Sequence, residues 1–268
     1  MALREDIRSG DITTEALIPV GATARAAMNF RENGIVCGLD LARFAFAFLD
    51  AGIQSESAKN DGEAIAAGET ALTISGNARA ILTGERVALN FVQRLSGIAT
   101  LTRKFVAATE GTNARIADTR KTTPNLRALE KYAVRCGGAT NHRFALDDLV
   151  LIKDNHIALC GGIENAVARA RTRIGHALKI EVECDNLDQV RAAAEVGVDI
   201  ILLDNMKPET LRQAVEIVAG RALCEASGGV NLKTVRAIAQ SGVDIISVGL
   251  LTHGARALDI GLDIEIQT

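Results

Sequence analysis

A concentration of basic side chains between residues 118 and 156 is the part of this sequence best suited to chemistry. Each of them follows a strand-like apolar run or lies in the loop between two such runs. The residues are Arg120, Lys121, His142, Arg143 and Lys153. Guanidinium groups bind carboxylate and phosphate oxygens through paired hydrogen bonds, and the chain as a whole carries a net charge of −3. The cluster predicts a small ligand with several negative charges, because nucleic acid would require a wider basic face.

Carboxylates end the apolar runs that follow along the chain. Glu181 and Glu183 are two residues apart, so a strand directs both side chains to the same face. Asp204 ends the next run. Buried carboxylates need partners, and a divalent cation or a sugar diol would satisfy such a pair. A network of internal salt bridges that only supports the fold is the alternative interpretation.

Two glycine-containing loops near the C-terminus are typical of phosphate binding. Ser227, Gly228 and Gly229 follow one apolar run, and Gly249 and Leu250 follow the next. Glycine lets backbone N–H groups approach an anion near the start of a helix. The last loops of an α/β barrel commonly bind phosphate, so their position in the chain strengthens the prediction.

The elements that must position these residues alternate between strand and helix after residue 110. Continuous apolar runs separated by amphipathic segments predict a parallel sheet that is buried on both faces. The runs are 114–118, 149–154, 178–183, 199–204, 222–227 and 244–249. No G-x-G-x-x-G motif opens a helix, which disfavours a dinucleotide-binding sheet. Because the C-terminal ends of barrel strands meet at one mouth, the charged strand ends favour an α/β barrel.

The first third of the chain has a different pattern. Segments 22–37 and 69–82 are predicted strands, 38–52 is a predicted amphipathic helix, and 84–109 forms one long or two consecutive helices. We therefore predict an N-terminal α/β sandwich domain at 1–107 and a barrel domain at 108–268. An alternative is that the extreme C-terminus returns to the first domain.

Composition restricts the class of protein further. The 268 residues are 48% hydrophobic and 24% charged, which is typical of a folded α/β chain. The charged start has no apolar signal region and no apolar run approaches 18 residues, so we expect a cytoplasmic protein without a membrane segment. The five cysteines are widely separated and form no C-x-x-C motif, so they are expected to be small buried side chains rather than disulfide or zinc ligands.

Several motifs together resemble the quinolinate phosphoribosyltransferase family. In chain order they are REDIRSGDIT (4–13), QRLSGIAT (93–100), DTRKTTPNLR (118–127), EKYAVRCGGATNHR (130–143), LIKDNH (151–156), EVE (181–183), LLDN (202–205), EASGG (225–229) and SVGLLTH (247–253). The resemblance implies an N-terminal sandwich domain followed by an open, incomplete α/β barrel. It also implies a homodimer or higher even oligomer, with each active site completed by the neighbour's N-terminal domain.

The same resemblance implies the transfer of phosphoribosyl from phosphoribosyl pyrophosphate to quinolinate, with decarboxylation to nicotinate mononucleotide. It assigns the two carboxylates of quinolinate to Arg94, Thr119, Arg120, Lys121, His142, Arg143 and Lys153. It assigns phosphoribosyl pyrophosphate to Glu183, Asp204, Ser227, Gly228, Gly229, Val248, Gly249 and Leu250. Lys121, Lys153, Glu183 and Asp204 are the expected catalytic residues. Mg²⁺ is the implied cofactor, held directly or indirectly by Glu183 and Asp204, whereas Glu181 is expected to pair with Lys179 or Lys153.

One departure from the family pattern bears on the loop after the first barrel strand. The usual glycine of TTPGLR is Asn125 here. Asparagine tolerates the left-handed backbone region better than most residues, so the loop is expected to keep its shape.

Three other functions are compatible with parts of the pattern. A nicotinate phosphoribosyltransferase, or a molybdenum-transport-associated relative of the same fold, would keep the carboxylates and phosphate loops but need fewer cations. A Schiff-base aldolase could use Lys153 as its amine. A non-catalytic anion-binding barrel would keep the cations, but Glu183 and Asp204 disfavour it.

Overall fold

The computed structural model describes residues 1–266, so the last two residues of the predicted barrel domain lie outside the described residues. The chain divides into two compact units. Unit 1 consists of Met1–Arg103, Tyr132–Gly138 and the segment from Ala255 onward, and unit 2 consists of Lys104–Lys131 and Ala139–Gly254. The division therefore differs from a single cut after residue 107.

Unit 1 is built on a four-stranded antiparallel sheet with the order β12-β1-β5-β3. The elements from the N-terminus are α1 (Ala2–Ile7), α2 (Ile12–Leu17), β1 (Thr23–Phe30), β2 (Gly34–Ile35), α3 (Leu39–Leu49), β3 (Gln54–Ser57), β4 (Ala64–Ile65), β5 (Thr70–Asn77) and α4 (Ala78–Ala108). Alternate residues of β1, among them Met28 and Phe30, are fully buried against Phe46 of α3 and Ile81 of α4 in one apolar cluster. One sheet face thus carries the core, as in the predicted α/β sandwich.

The start of α4 differs from the prediction that 69–82 is a strand. The strand ends at Asn77, whose side-chain oxygen accepts hydrogen bonds from the backbone N–H groups of Arg79 (2.9 Å) and Ala80 (3.3 Å). Asparagine in this position satisfies N–H groups that the first helical turn leaves unpaired. The apolar residues after Asn77 therefore belong to the helix.

Unit 2 contains a six-stranded parallel sheet with the order β6-β11-β10-β9-β8-β7. Its elements are β6 (Arg115–Ala117), α5 (Arg127–Cys136, which ends in unit 1), β7 (Val150–Ile152), α6 (Asp154–Cys160), α7 (Ile163–Arg171), β8 (Ile180–Cys184), α8 (Leu187–Glu195), β9 (Ile200–Asp204), α9 (Pro208–Val218), β10 (Leu223–Ser227), α10 (Val235–Ala239), β11 (Ile245–Ser247) and α11 (Leu250–His253). Among the described strands, β6 and β7 are the two edges of this order and do not pair with each other. The α/β class with an open barrel is confirmed.

The last strand, β12 (Ile260–Ile266), belongs to the antiparallel sheet of unit 1. It pairs with β1 over seven residues, from Phe30 opposite Ile260 to Ala24 opposite Ile266. The side chains of Ile260, Leu262 and Ile264 pack against the unit 1 core. Burial of this apolar face explains why the C-terminal segment lies with unit 1 rather than continuing the barrel pattern.

Within the described residues, no helix is long and apolar enough to cross a membrane.

Candidate active site

The loop after β6 is anchored by a buried ion pair. Asp118 is fully buried, and its Oδ1 accepts from Lys131 Nζ at 2.5 Å. The same carboxylate accepts from the Asn141 side chain (2.6 Å) and from the backbone N–H of His142 (2.9 Å). Burial raises the pKa of Asp118, and the hydrogen bond from Lys131 opposes that shift. These contacts fix the end of β6 beside the segment that carries His142 and Arg143.

Arg120 and Arg143 are two guanidinium groups in the same unit with few protein partners. Arg120 Nε and Nη1 are buried and have no hydrogen-bond acceptor in the described part of the chain. Arg143 Nη1 donates to the Leu149 carbonyl oxygen at 3.3 Å. Burial lowers the pKa of Arg143, and the positive charge of Arg120 lowers it further. A buried guanidinium without an acceptor is costly, so this arrangement favours an anionic ligand.

His142 lies inside the barrel rather than at its surface. Its Nε2 is 3.3 Å from carboxylate oxygens of both Glu181 and Glu225, which come from β8 and β10. Both glutamates are almost fully buried, and the Ser247 hydroxyl donates to Glu225. The expectation that Glu181 pairs with Lys179 or Lys153 is wrong, because its neighbour in the packed interior is the imidazole of His142.

The two buried glutamates favour the protonated form of His142. Burial alone would lower the pKa of His142, but the hydrogen bonds and charges of the two glutamates raise it to about 10. Burial also raises the pKa of Glu181. The backbone N of Arg143 lies 2.7 Å from His142 Nδ1, and Nε2 faces the two carboxylates.

Lys153 and Glu183 form an ion pair at the ends of β7 and β8. Lys153 Nζ lies 2.7 Å from Glu183 Oε2. On the neighbouring strand β9, the Asp204 carboxylate accepts from the side chain of Asn205 at 2.6 Å. These acids lie at the C-terminal strand ends, as predicted, and neither is fully buried.

The first glycine-containing loop has a packing requirement for glycine. Gly228 has φ +91°, and a Cβ there would lie 2.2 Å from the Asn205 side-chain oxygen. The Asn205 backbone N–H also donates to the Ser227 carbonyl oxygen at 2.9 Å. Gly229 has φ +59° with open space around it, so its backbone is accessible to a ligand. The loop between β10 and α10 is thus held in place by the loop after β9.

The second glycine-containing loop lies next to Lys121. A Cβ added to Gly249 would be 3.0 Å from Lys121 Cδ, so the aliphatic part of this lysine covers the loop. The Thr252 hydroxyl donates to the Lys121 carbonyl oxygen at 2.7 Å. Thr119 Oγ1 accepts from the Lys121 backbone N–H at 3.1 Å. Val248, which precedes Gly249, is buried.

Arg94 is placed in the other unit. It belongs to α4, and its Nη1 donates to the Ala255 carbonyl oxygen at 2.7 Å, both residues being in unit 1. The remaining predicted ligand residues lie in unit 2. The structure therefore brings together the cations and acids of the barrel, whereas Arg94 is positioned by a separate set of contacts.

Family models of quinolinate phosphoribosyl transferase match both parts of the chain, the N-terminal domain at residues 11–96 and the C-terminal domain at 98–263. The chain belongs to the quinolinate phosphoribosyltransferase family. A probable nicotinate-nucleotide pyrophosphorylase (carboxylating) of Bacillus subtilis (strain 168) is 44% identical over 98% of this chain and 90% of its own length. The corresponding protein of Mycobacterium leprae (strain TN) is 45% identical, over 98% and 94%.

Solved structures agree with this assignment to the quinolinate phosphoribosyltransferase family. The nicotinate-nucleotide pyrophosphorylase from Ehrlichia chaffeensis superposes with a TM-score of 0.94 at 45% identity, covering 98% of this chain and 96% of that one. NadC from Streptococcus pyogenes superposes with a TM-score of 0.97 at 41% identity, covering 100% and 95%. The resemblance inferred from the motifs is confirmed.

The sequence patterns did not indicate two residues that position the loop after β6. Lys131 neutralises Asp118, and the fully buried Glu130 accepts from the Thr123 backbone N–H (3.0 Å) and hydroxyl (2.8 Å). Both lie in the motif EKYAVR, so a strongly charged pair at the start of an amphipathic helix was the available signal. Asn125 of the same loop has φ 65°, as expected for the residue that replaces glycine.

Proposed function

We propose that this chain transfers the phosphoribosyl group of phosphoribosyl pyrophosphate to quinolinate, with loss of one carboxylate as carbon dioxide. The products are nicotinate mononucleotide, pyrophosphate and carbon dioxide, a step of NAD biosynthesis. The observation that carries the proposal is the Arg120 guanidinium, whose buried Nε and Nη1 have no acceptor in the described protein. Quinolinate has two adjacent carboxylates, which suit the paired donors of Arg120 and Arg143.

The basic residues of the barrel would bind and orient quinolinate. Arg120 and Arg143 would bind its carboxylates, with Thr119, Lys121 and Lys153 contributing further donors. His142 would support the quinolinate-binding residues from the barrel interior, because its Nε2 is directed toward Glu181 and Glu225. The position of the ring would leave its nitrogen facing C1 of the ribose.

The acids and glycine loops would bind the second substrate. Glu183 and Asp204 would accept hydrogen bonds from the ribose hydroxyls, and Ser227 to Gly229 and Val248 to Leu250 would offer backbone N–H groups to phosphate. Before this can happen, Glu183 has to exchange its contact with Lys153 for the sugar. Lys153 would then be available to an anionic group of either substrate.

The reaction follows from the charges around C1. The bond from C1 to pyrophosphate breaks, and the pyridine nitrogen forms the new bond to C1. Nearby carboxylates stabilise positive charge on the sugar, and lysine stabilises the leaving group. The 2-carboxylate then leaves as carbon dioxide, and the electron pair left on the ring carbon is stabilised by the cationic nitrogen until it takes a proton. No side-chain nucleophile is needed.

The donor set also fits Mg²⁺. Glu183 and Asp204 offer only oxygen ligands at the ends of adjacent strands, which is the chemistry Mg²⁺ requires. When bound, the ion would neutralise charge on pyrophosphate as it leaves. The residues themselves would hold the ribose whether their contact with the metal is direct or through water.

Assembly and location complete the proposal. We propose a homodimer or higher even oligomer in which Arg94 contributes to a neighbour's active site. The cytoplasmic location expected from the sequence stays a prediction.

Substrate choice tests the proposed function. Purified protein would be incubated with phosphoribosyl pyrophosphate and Mg²⁺, with quinolinate or nicotinate in parallel, and nucleotides separated by chromatography. We expect nicotinate mononucleotide from quinolinate and little or none from nicotinate. Equal or faster formation from nicotinate would mean that the two arginines do not select a dicarboxylate.

A further inference from the structure

Three segments of unit 1 bring two thiols and a carboxylate together. Cys37 follows β2, Asp61 lies between β3 and β4, and Cys136 is the last residue of α5. The two Sγ atoms and a carboxylate oxygen of Asp61 all lie within 4.8 Å of one another. No sequence motif indicates this cluster, because its members are far apart in the chain and form no C-x-x-C motif.

Backbone contacts hold Cys37 and Asp61 in position. The Ser96 hydroxyl accepts from the Cys37 N–H at 2.9 Å and donates to the Cys37 carbonyl oxygen at 3.2 Å. The Asp61 carboxylate accepts from the N–H groups of Gly38 (2.8 Å) and Leu39 (3.2 Å), at the start of α3. The Cys37 backbone and the Asp61 carboxylate are therefore held in place by the folded unit, and binding a further group would order little additional chain.

The third ligand and a neighbouring phenol come from one face of α5. Tyr132 and Cys136 are four residues apart, and the Tyr132 hydroxyl donates to Asp61 Oδ2 at 2.8 Å. The hydrogen bond between the two thiols lowers the pKa of Cys136, and the same contact together with burial raises the pKa of Cys37. Cys37 is fully buried while Cys136 is only partly buried, so the cluster has a protein-lined side and a side open to solvent.

The chemistry of these atoms distinguishes between classes of cation. Mg²⁺ and Ca²⁺ prefer all-oxygen sites, whereas Zn²⁺ and the chemically similar Cd²⁺ bind thiolates together with carboxylate. We propose that Cys37, Asp61 and Cys136 form a binding site for a thiophilic divalent cation of the Zn²⁺ class, with a fourth position open to water or to Tyr132. Each thiol that binds the cation releases its proton to solvent, and no oxidant is involved.

Titration with Cd²⁺ tests this site without reference to catalysis. The full chain would be reduced with a phosphine, stripped of metal and titrated while the ultraviolet thiolate-to-metal charge-transfer band is recorded. We expect the band to saturate at one Cd²⁺ per chain, to be displaced by Zn²⁺ and to be unaffected by excess Mg²⁺. Zn²⁺ should also raise the melting temperature, because it binds the folded chain.

Single substitutions of cysteine test which thiols bind Cd²⁺. Cys136→Ser and Cys37→Ser should lose the band, whereas Cys160→Ser, which removes a partly buried thiol of unit 2, should bind like the unaltered chain. If Cys37→Ser does not fold, the Cys136→Ser variant tests the proposed site by itself, because the Cys136 side chain is less buried than that of Cys37. A titration without a charge-transfer band, or a band that survives in folded Cys136→Ser, would overturn the proposed site.

Discussion

Lys153 Nζ lies 2.7 Å from Glu183 Oε2, so a cation proposed for the reaction and a carboxylate proposed for the sugar form an ion pair with each other. The pair joins the ends of neighbouring parallel strands, β7 and β8. Lys153 is 46% exposed at its side chain and Glu183 is 16% exposed. An ion pair that is partly exposed to water contributes little to stability, so substrate can separate it at low cost. The contact keeps both groups at the barrel mouth.

The carboxylate-binding role of Arg120 and Arg143 predicts a defect in activity without a defect in folding. Replacing either by alanine removes a charged hydrogen-bonding group worth ~1.5–3 kcal/mol, so kcat/KM for quinolinate should fall roughly 10-fold to 100-fold or more. Arg120→Ala should melt no lower than the unaltered chain, because it removes a buried guanidinium with two unpaired nitrogens. Arg115→Ala, at an exposed position of β6, is the matched control. Unchanged kcat/KM in both site variants would refute the assignment.

Neutralising Glu183 or Asp204 should have different effects on quinolinate binding and on turnover with phosphoribosyl pyrophosphate. In Glu183→Gln and Asp204→Asn, quinolinate binding measured by calorimetry should be retained or tightened, because a like charge is removed. Turnover with phosphoribosyl pyrophosphate and Mg²⁺ should fall ~100-fold or more through loss of electrostatic stabilisation in the transition state. If turnover persists and quinolinate binding is lost, the carboxylates only support the basic cluster.

The raised pKa of His142 makes stability depend on pH. The unfolded imidazole has a pKa of 6.5, and the folded pKa is raised to about 10. The stabilisation is therefore complete below the unfolded value and is lost as pH rises through the folded one. Denaturant unfolding of the unaltered chain should show a free energy of unfolding that declines across this window. His142→Gln should show a flatter profile, and parallel profiles would contradict the coupled cluster.

A shared active site predicts complementation between inactive variants. If Arg94 reaches a neighbouring barrel, mixing Arg94→Ala with Lys153→Ala protein should restore activity after subunit exchange, because about one site in each mixed dimer contains both native residues. Each variant mixed with itself is the control. Verified exchange without recovery would place Arg94 outside the partner's site.

The sequence was informative where the signal was local. The strand ends that carry Lys153, Glu183 and Asp204 follow from apolar runs and their polar ends, and the structure places these residues there. The segment after Asn77 shows the limit of prediction from local pattern. Its apolar residues are compatible with either a strand or a helix, and the hydrogen bond from the Arg79 N–H to the Asn77 side chain shows that a helix begins there.

Contacts between distant segments could not be predicted. The Asp118 to Lys131 pair and the pairing of His142 with Glu181 and Glu225 depend on which side chains meet inside the folded unit. No periodicity predicts these contacts, although the concentration of basic residues between 118 and 156 indicated that this region is a site. The expectation for Glu181 failed for this reason, because Lys179 lies near it in sequence but His142 lies near it in space.

The release of carbon dioxide from carboxyl-labelled quinolinate, with and without phosphoribosyl pyrophosphate, tests the central proposal most directly. Decarboxylation requires the ring nitrogen to be joined to the ribose first, so the account predicts labelled carbon dioxide only when both substrates are present, in a one-to-one ratio with nicotinate mononucleotide. The signal should be strongly reduced in Arg120→Ala and Asp204→Asn. Release at the same rate without phosphoribosyl pyrophosphate, or no release with both substrates and Mg²⁺, would contradict it.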